Sequence, residues 1–282
     1  MGDIDATSTD SRWIYYRIYA DDFGSLEPLL TELVAPVVRE ARPRVREFGW
    51  FFLRYLDPIG FQLRVRLRGT PAALPMMEEM FDARLRAALA PGGRDRLGCR
   101  QFGRYVYAPE YAKYGSAAEI RRAERIFEAS SELALSRHGT DDPASPVVWA
   151  AACLLAVIAD WPDDTRLGFL YHYTWYWTGG VEPGEWRLPW TEDDTIAHRA
   201  SSLAQRARDL LGTESGRDIA CYSETLWRLA GRGHHPDARN SDHLTAFHHV
   251  HLTNNRLGVQ PWQEAQIARL LWHFLRNERG GR

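Results

Sequence analysis

Between Phe61 and Arg68 the chain alternates apolar and polar residues without a break, Phe-Gln-Leu-Arg-Val-Arg-Leu-Arg, and a period of two is the period of a β-strand. Phe61, Leu63, Val65 and Leu67 then share one face, and Gln62, Arg64, Arg66 and Arg68 share the other. An aromatic run begins at Trp50 and ends at Asp57-Pro58 and Gly60, so the stretch from Trp50 to Arg68 reads as two strands joined by a short turn. Guanidiniums two residues apart on one strand repel one another, and a fold that keeps them offers carboxylates, solvent or an anionic ligand in return. The plain alternative is an exposed strand face on which Arg serves solubility.

The flanking sequence sets the class. Arg12 to Ala20 is aromatic and β-branched and predicts a strand, while Leu26 to Glu40 has helical spacing with Pro36 as a break or kink. Pro71 to Ala90 predicts a helix, Pro91-Gly92-Gly93 a turn, and Cys99 to Ala108 a fourth strand. From Ala117 the pattern is helical throughout, over 117–137, 144–161, 164–177, 192–211, 218–229, 241–257 and 261–276, with breaks at Gly, Pro and Asp clusters. The expected class is α+β, with an antiparallel sheet and interleaved helices in the N-terminal part and a mainly α-helical C-terminal part. No repeat and no Gly- and Ser-rich linker divides the chain. Residues 12–282 therefore read as one domain behind a disordered polar start, 1–11, with a subdivision near residue 115 as the alternative.

Composition narrows the function classes. The net charge of −2 comes from 35 basic and 37 acidic residues, which argues against a wholesale nucleic-acid binder. Cys99, Cys153 and Cys221 are odd in number and scattered, fitting neither a disulfide framework nor a zinc cluster. The start lacks the basic-then-apolar pattern of a signal peptide, and the longest apolar run, Val147 to Ile158, is too short to span a bilayer. A soluble, cytoplasmic protein is expected.

Two stretches carry candidate chemistry. Gly103 to Ser116 ends the last strand with Glu110 and Lys113 flanked by Tyr107, Tyr111 and Tyr114, a candidate polar site that reads equally well as a surface turn with packed tyrosines. In the second, Phe247 to Gly258, His248 and His251 lie three apart and can share a helix face. No Glu stands beside them in a His-Glu-x-x-His arrangement and no Cys or Asp at ligand spacing, so metal is not expected. A histidine that titrates near neutrality suits proton transfer better. Asn254, Asn255 and Arg256 add donors at the helix end, Gly258 reads as its C-cap, and Pro261 as the first turn of the next helix. Tyr171 to Trp177 is a dense aromatic run, material for a core or for a wall against a flat heteroaromatic substrate. No phosphate loop or dinucleotide fingerprint occurs, so no cofactor is expected.

Four segments occur in a fixed order: Arg54-Tyr-x-Asp-Pro58, Leu63-Arg-Val-Arg66, Tyr107-x-Pro-Glu-x-x-Lys-Tyr-Gly115 and His251-x-x-Asn-Asn-Arg-Leu-Gly258. In these the sequence resembles the C-terminal, elimination domain of lanthipeptide dehydratases, in the freestanding form found among thiopeptide-type bacteriocin biosynthesis proteins. The resemblance runs from the first strand to the last helix. It implies an enzyme that removes glutamate from a glutamyl ester on serine or threonine of a ribosomal precursor peptide, leaving dehydroalanine or dehydrobutyrine. The resemblance maps the family's paired arginines onto Arg64 and Arg66 and its histidine onto His251 as catalytic residues; Lys113, in place of an Arg, is a further catalytic candidate, and Arg54, Tyr107, Glu110, Tyr114, Asn255 and Arg256 are candidates for substrate binding. Guanidiniums would hold the glutamyl carboxylate and the developing charge, and the histidine would move the proton.

The family resemblance also implies an alternative, a pyridine synthase that joins two dehydroalanines by a formal (4+2) aza-cycloaddition, closes a macrocycle and expels the leader peptide. A third reading is a non-catalytic module that binds a leader peptide by strand addition to a sheet edge. The chain departs from the family pattern in having Gln62 where His is usual before the Arg pair. It also has Lys113-Tyr114-Gly115-Ser116 where Arg-Tyr-Gly-Gly is usual, and Lys cannot form the bidentate fork of Arg. The partners implied are a leader-bearing precursor peptide and, for elimination, a separate glutamyl-tRNA-dependent glutamylating protein. No direct nucleic-acid or membrane partner is implied, and a homodimer is one assembly open to the chain.

Overall fold

The computed structural model of the chain describes residues 13–139, 144–178, 194–231 and 238–280. The expected disordered start and the first residues of the helix expected from Glu192 lie outside the described residues. The chain forms two compact units, the first ending at Ser131 and the second beginning at Glu132.

The first unit is built on four antiparallel strands, β1 (Trp13–Ala20), β2 (Gly49–Asp57), β3 (Gly60–Arg68) and β4 (Cys99–Tyr105), in the order β2-β3-β1-β4. The β2–β3 hairpin turns on Asp57, whose Oδ1 accepts from the backbone N–H of Ile59 at 2.9 Å and of Gly60 at 3.3 Å, with Gly60 at a φ of +140°. An Asx turn followed by a glycine at positive φ is what Asp-Pro-x-Gly encodes.

Register gives the sheet two unlike faces. On one, Ile14, Tyr16, Ile18, Leu63, Val65, Leu67, Trp50 and Phe52 are all buried. Two helical layers supply its apolar cover. A run opens with α1 (Leu26–Pro28), passes through a π-helical turn at Leu29–Val34 and continues as α2 (Ala35–Ala41); the second layer is α3 (Leu74–Leu89). Pro36 has no N–H to donate into the turn before it, and the π turn directly ahead of it is how the helix absorbs that loss without breaking. The expected turn at Pro91 is instead a short helix, α4 (Pro91–Leu97). Pro91 sits at its N-terminal position and Gly98, at a φ of +61°, ends it in the left-handed conformation. Beyond β4 come α5 (Tyr111–Tyr114) and α6 (Ala117–Ser136).

The second unit is helical. Its centre is α7 (Pro146–Val157), apolar on every side and buried along most of its length, the expected property of a helix surrounded by others. The helices α9 (Asp194–Leu211), α10 (Glu214–Ala230), α11 (Ala238–Leu257) and α12 (Pro261–Gly280) pack against it, and α8 (Asp163–Thr178) lies along α12. As the sequence suggests, Gly258 at a φ of +83° ends α11 and Pro261 starts α12. No described helix is long and apolar enough to cross a membrane.

Candidate functional site

The other face of the sheet is cationic and aromatic. The strand pairing sets Arg17 of β1 opposite Arg64 of β3, Tyr15 opposite Arg66, Trp13 opposite Arg68 and Tyr19 opposite Gln62, and it brings Phe51 of β2 beside Arg66 and Tyr105 of β4 beside Tyr15. This is not the exposed, solubility-serving surface that strand alternation allows, because Gln62 is fully buried and Arg66 only 9% exposed. Packing by Tyr107 and by Phe127 of α6 around Phe51 accounts for part of that cover, with ring centroids 5.9 and 5.3 Å from Phe51.

Arg66 sits in a cage of three rings. Its guanidinium carbon lies 4.3 Å from the centroid of Tyr15, 5.1 Å from Phe51 and 5.2 Å from Tyr107, while its Nε and Nη1 are buried with no hydrogen-bond partner. Burial pulls its pKa below the ordinary guanidinium value, tempered by Tyr15 and Tyr107 and reinforced by the charge of Arg64. A guanidinium does not shed its proton in a protein, so the charge stays and the ring quadrupoles offset only part of its desolvation. Arg64 is half-buried, 3.3 Å over the ring of Tyr55, with its Nε donating to Gln62 Oε1 at 3.4 Å. Among the described residues neither arginine pairs with a carboxylate, in contrast to Arg68, which lies 3.8 Å from Glu128.

The residues expected around the arginines divide by location. Tyr107 belongs to the cage; burial and the adjacent Glu124 carboxylate, to which it hydrogen-bonds, push its phenol far above the usual range, so it is a fixed donor and not a base. Glu110 and Lys113 are exposed, Lys113 lying 5.3 Å from the ring of Tyr114, which packs edge-on against Phe127. Arg54 is on the packed face, nearly buried and paired with Glu27 at 2.5 Å, so its charge is already answered within the helical layer. Gln62, at the family's usual His position, donates to Asp57 Oδ2 at 2.5 Å and helps fix the hairpin.

In the second unit His251 is held by a network that its own motif only partly spells out. Its Nδ1 is 3.0 Å from Oε1 of Glu264, a wholly buried carboxylate one turn into α12. A carboxylate only accepts, so Nδ1 carries the proton and Nε2 is left as the basic nitrogen. The other oxygen of Glu264 accepts from Asn254 Nδ2 at 3.1 Å and from the hydroxyl of Tyr173. Burial and the negative charge of Glu264 raise the Tyr173 phenol well above its ordinary value, so it remains a donor. Trp177 stacks on the imidazole, centroids 4.4 Å apart. A buried carboxylate that fixes the orientation and tautomer of an imidazole is the arrangement general-base catalysis uses. Asn255 and Arg256 play other parts: the Asn255 carbonyl accepts from Gly258 at the helix end, and Arg256 is fully buried with Nη1 donating to Leu252 O at 3.1 Å.

The sequence motifs do not single out Arg17, Tyr15 or Glu264, and they hold Tyr173 only as one ring of the Tyr171–Trp177 run. Arg17 and Tyr15 were visible as alternate residues of β1, and Glu264 as a lone acid in the first turn after Pro261, but only pairing across strands and helices joins them to the motif residues. Among the described residues no group of His, Cys, Asp or Glu side chains is placed to hold a metal ion.

Solved structures of similar fold include the following three. The pyridine synthase TbtD from thiomuracin biosynthesis superposes with a TM-score of 0.70 at 16% identity, covering 96% of this chain and 99% of that one. TsrL gives 0.67 at 14% identity, with 96% and 95% covered. The tRNA-dependent lantibiotic dehydratase MibB from Microbispora sp. 107891 gives 0.63 at 18% identity over 99% of this chain, which spans 29% of MibB. No curated protein matches the sequence. The family described as lantibiotic biosynthesis dehydratase C-term matches residues 13–275, across both units, and the chain belongs to that family.

Proposed function

We propose that this protein catalyses β-elimination of glutamate from glutamylated serine or threonine in a leader-bearing precursor peptide, leaving dehydroalanine or dehydrobutyrine. Family membership supports a role in the biosynthesis of a ribosomal peptide antibiotic; the reaction is inferred from side chains. The observation that carries it is Arg66, a buried guanidinium in an aromatic cage with two nitrogens unpartnered. A site that tolerates such a cost is organised for an anion.

In the elimination a base removes the α-proton of the esterified residue, the electron pair becomes the Cα–Cβ double bond, and the Cβ–O bond breaks to release glutamate as a carboxylate. Arg66 receives that developing charge and Arg64 binds beside it, both through charge-assisted hydrogen bonds. Tyr107 and Glu110 lie near Arg66, and Tyr114, packed on Phe127, and the exposed Lys113 are assigned to substrate binding and to a point charge beside the site. His251 is assigned the proton, with Nε2 as base and Glu264 orienting the ring through Nδ1. Asn255 and Arg256 support the end of the helix that carries it.

The aromatic wall beside His251, where Trp177 stacks on both His251 and Phe247, favours a second reading. Flat rings suit a thiazole-bearing peptide, the substrate type of a pyridine synthase. One pair of incubations separates them. With a glutamylated precursor, loss of glutamic acid by mass supports elimination. With a bis-dehydroalanine thiazole peptide, release of leader amide and a macrocycle supports cycloaddition and overturns the first reading if glutamate is retained. Leader binding with neither mass change would leave only a peptide-binding role.

A further inference from the structure

We infer that Arg17 is part of the anion site, forming with Arg64 a second carboxylate position beside Arg66, so that this sheet face takes a dicarboxylate by both ends. The inference rests on the elimination reading and adds to it a residue, Arg17, that would hold the leaving group's second carboxylate. The juxtaposition that carries it is a directly opposed pair of like charges. Arg17 and Arg64 are cross-strand partners in the β1–β3 register, where identical charges destabilise a sheet.

Nothing among the described residues neutralises the pair, since neither guanidinium has a carboxylate within ion-pair distance. Both are instead held in place by neutral groups. Arg17 lies 4.0 Å from the centroid of the Tyr105 ring and donates from Nε to the hydroxyl of Tyr15 at 3.0 Å, while Arg64 lies over Tyr55. Tyr15 ties the two positions together, because its hydroxyl accepts from Arg17 and its ring is the nearest wall of the Arg66 cage. Positioned, uncompensated guanidiniums on rigid strands are preorganised for anions. Along β3, Arg64 and Arg66 are two residues apart, roughly 6.8 Å from Cα to Cα for extended chain, a separation that the carbon chain of glutarate or glutamate bridges.

Arg66, buried and unpartnered, is suited to the carboxylate released on C–O cleavage, and the Arg17–Arg64 pair to the carboxylate the substrate already carries. A cycloaddition substrate brings no such second charge.

The test is calorimetric titration of glutarate, L-glutamate and the monocarboxylate butyrate into the full chain and its Arg17→Gln and Tyr15→Phe variants. Arg17→Gln should weaken glutarate and glutamate about tenfold or more, as loss of a charged hydrogen-bonding partner does, and leave butyrate unaffected. Without ligand the same variant should melt at a higher temperature than wild type, because one of two opposed charges is gone. On a glutamylated precursor it should raise KM while holding kcat, as loss of an interaction made equally in ground and transition states does. Tyr15→Phe, which keeps the charge, should weaken glutarate less than Arg17→Gln. Unchanged glutarate affinity in Arg17→Gln, or an equal loss for butyrate, overturns the inference; if precursor turnover persists in that case, the elimination reading stands without it. If glutarate binding depends on Arg17 while wild type fails to eliminate glutamate, the dicarboxylate site stands and the elimination reading falls.

Discussion

At the scale of single residues the energetics of Arg66 and Glu264 point the same way. Each is a charged or chargeable group deep in its unit, Arg66 answered by ring faces and Glu264 by three hydrogen-bond donors. A buried guanidinium with no counter-charge keeps a desolvation cost that an apolar side chain of similar volume does not carry. Arg66→Met should therefore raise the unfolding midpoint in urea while abolishing turnover. A variant that is both less stable and still active would show that the guanidinium serves the fold instead. For Glu264→Gln the expected outcome is a fall in kcat on the order of 10²-fold or more, since the amide no longer holds the imidazole in the Nδ1–H tautomer. Rescue by Asp would be partial because the shorter side chain withdraws from Nδ1. The motif singles out His251 but not its partner Glu264, because thirteen positions of sequence and a helix turn separate them and nothing in periodicity says which acid faces which imidazole.

At the scale of elements the β2–β3 hairpin was legible because the alternation in β3 is strict and its Asp-Pro-x-Gly turn has one reading. The helical breaks were less so. Pro36 marked a disturbance correctly, but whether a helix breaks, kinks or widens into a π turn depends on the layer packed against it, here the apolar sheet face. Pro91-Gly92-Gly93 reads as a turn by composition, yet proline at a first helical position and glycine at the left-handed end make a helix of it. Gly216 gives a test of the same principle in α10. A β-carbon there would lie 2.2 Å from the backbone oxygen of Leu211. Gly216→Ala should thus destabilise the protein by about 1–3 kcal/mol in denaturant unfolding, despite alanine's higher helix propensity. A neutral or stabilising result would mean that the preceding turn yields.

At the scale of the whole molecule, a single family match spans two compact units, the first with a row of guanidiniums on its sheet and the second with a buried carboxylate against an imidazole. The even mixture of 35 basic and 37 acidic residues conceals this, because the decisive charges are a local row on one sheet face and one buried acid. The sequence showed the row in β3 but not that Arg17 faces it, since register between strands is set by pairing and not by spacing within either strand. Stability should also depend on pH through His243, whose pKa burial, aided by the charge of His172, holds below the usual 6.5. Below that value the unfolded chain binds the proton more readily than the folded one, so the unfolding midpoint should fall as pH drops from about 7 to about 5. The drop should shrink in His243→Phe, and an equal drop in both would assign it elsewhere.

Elimination consumes an ester that a prior glutamyl transfer must form, so the measurement that tests the account most directly starts from that ester. Purified protein is mixed with a chemically glutamylated precursor peptide and the peptide mass is followed over time, in parallel with Arg66→Met. The account expects wild type to release glutamic acid and leave a dehydroamino acid, with Arg66→Met inert though folded. Intact glutamyl ester in the wild-type reaction, or equal release by the variant, would contradict it.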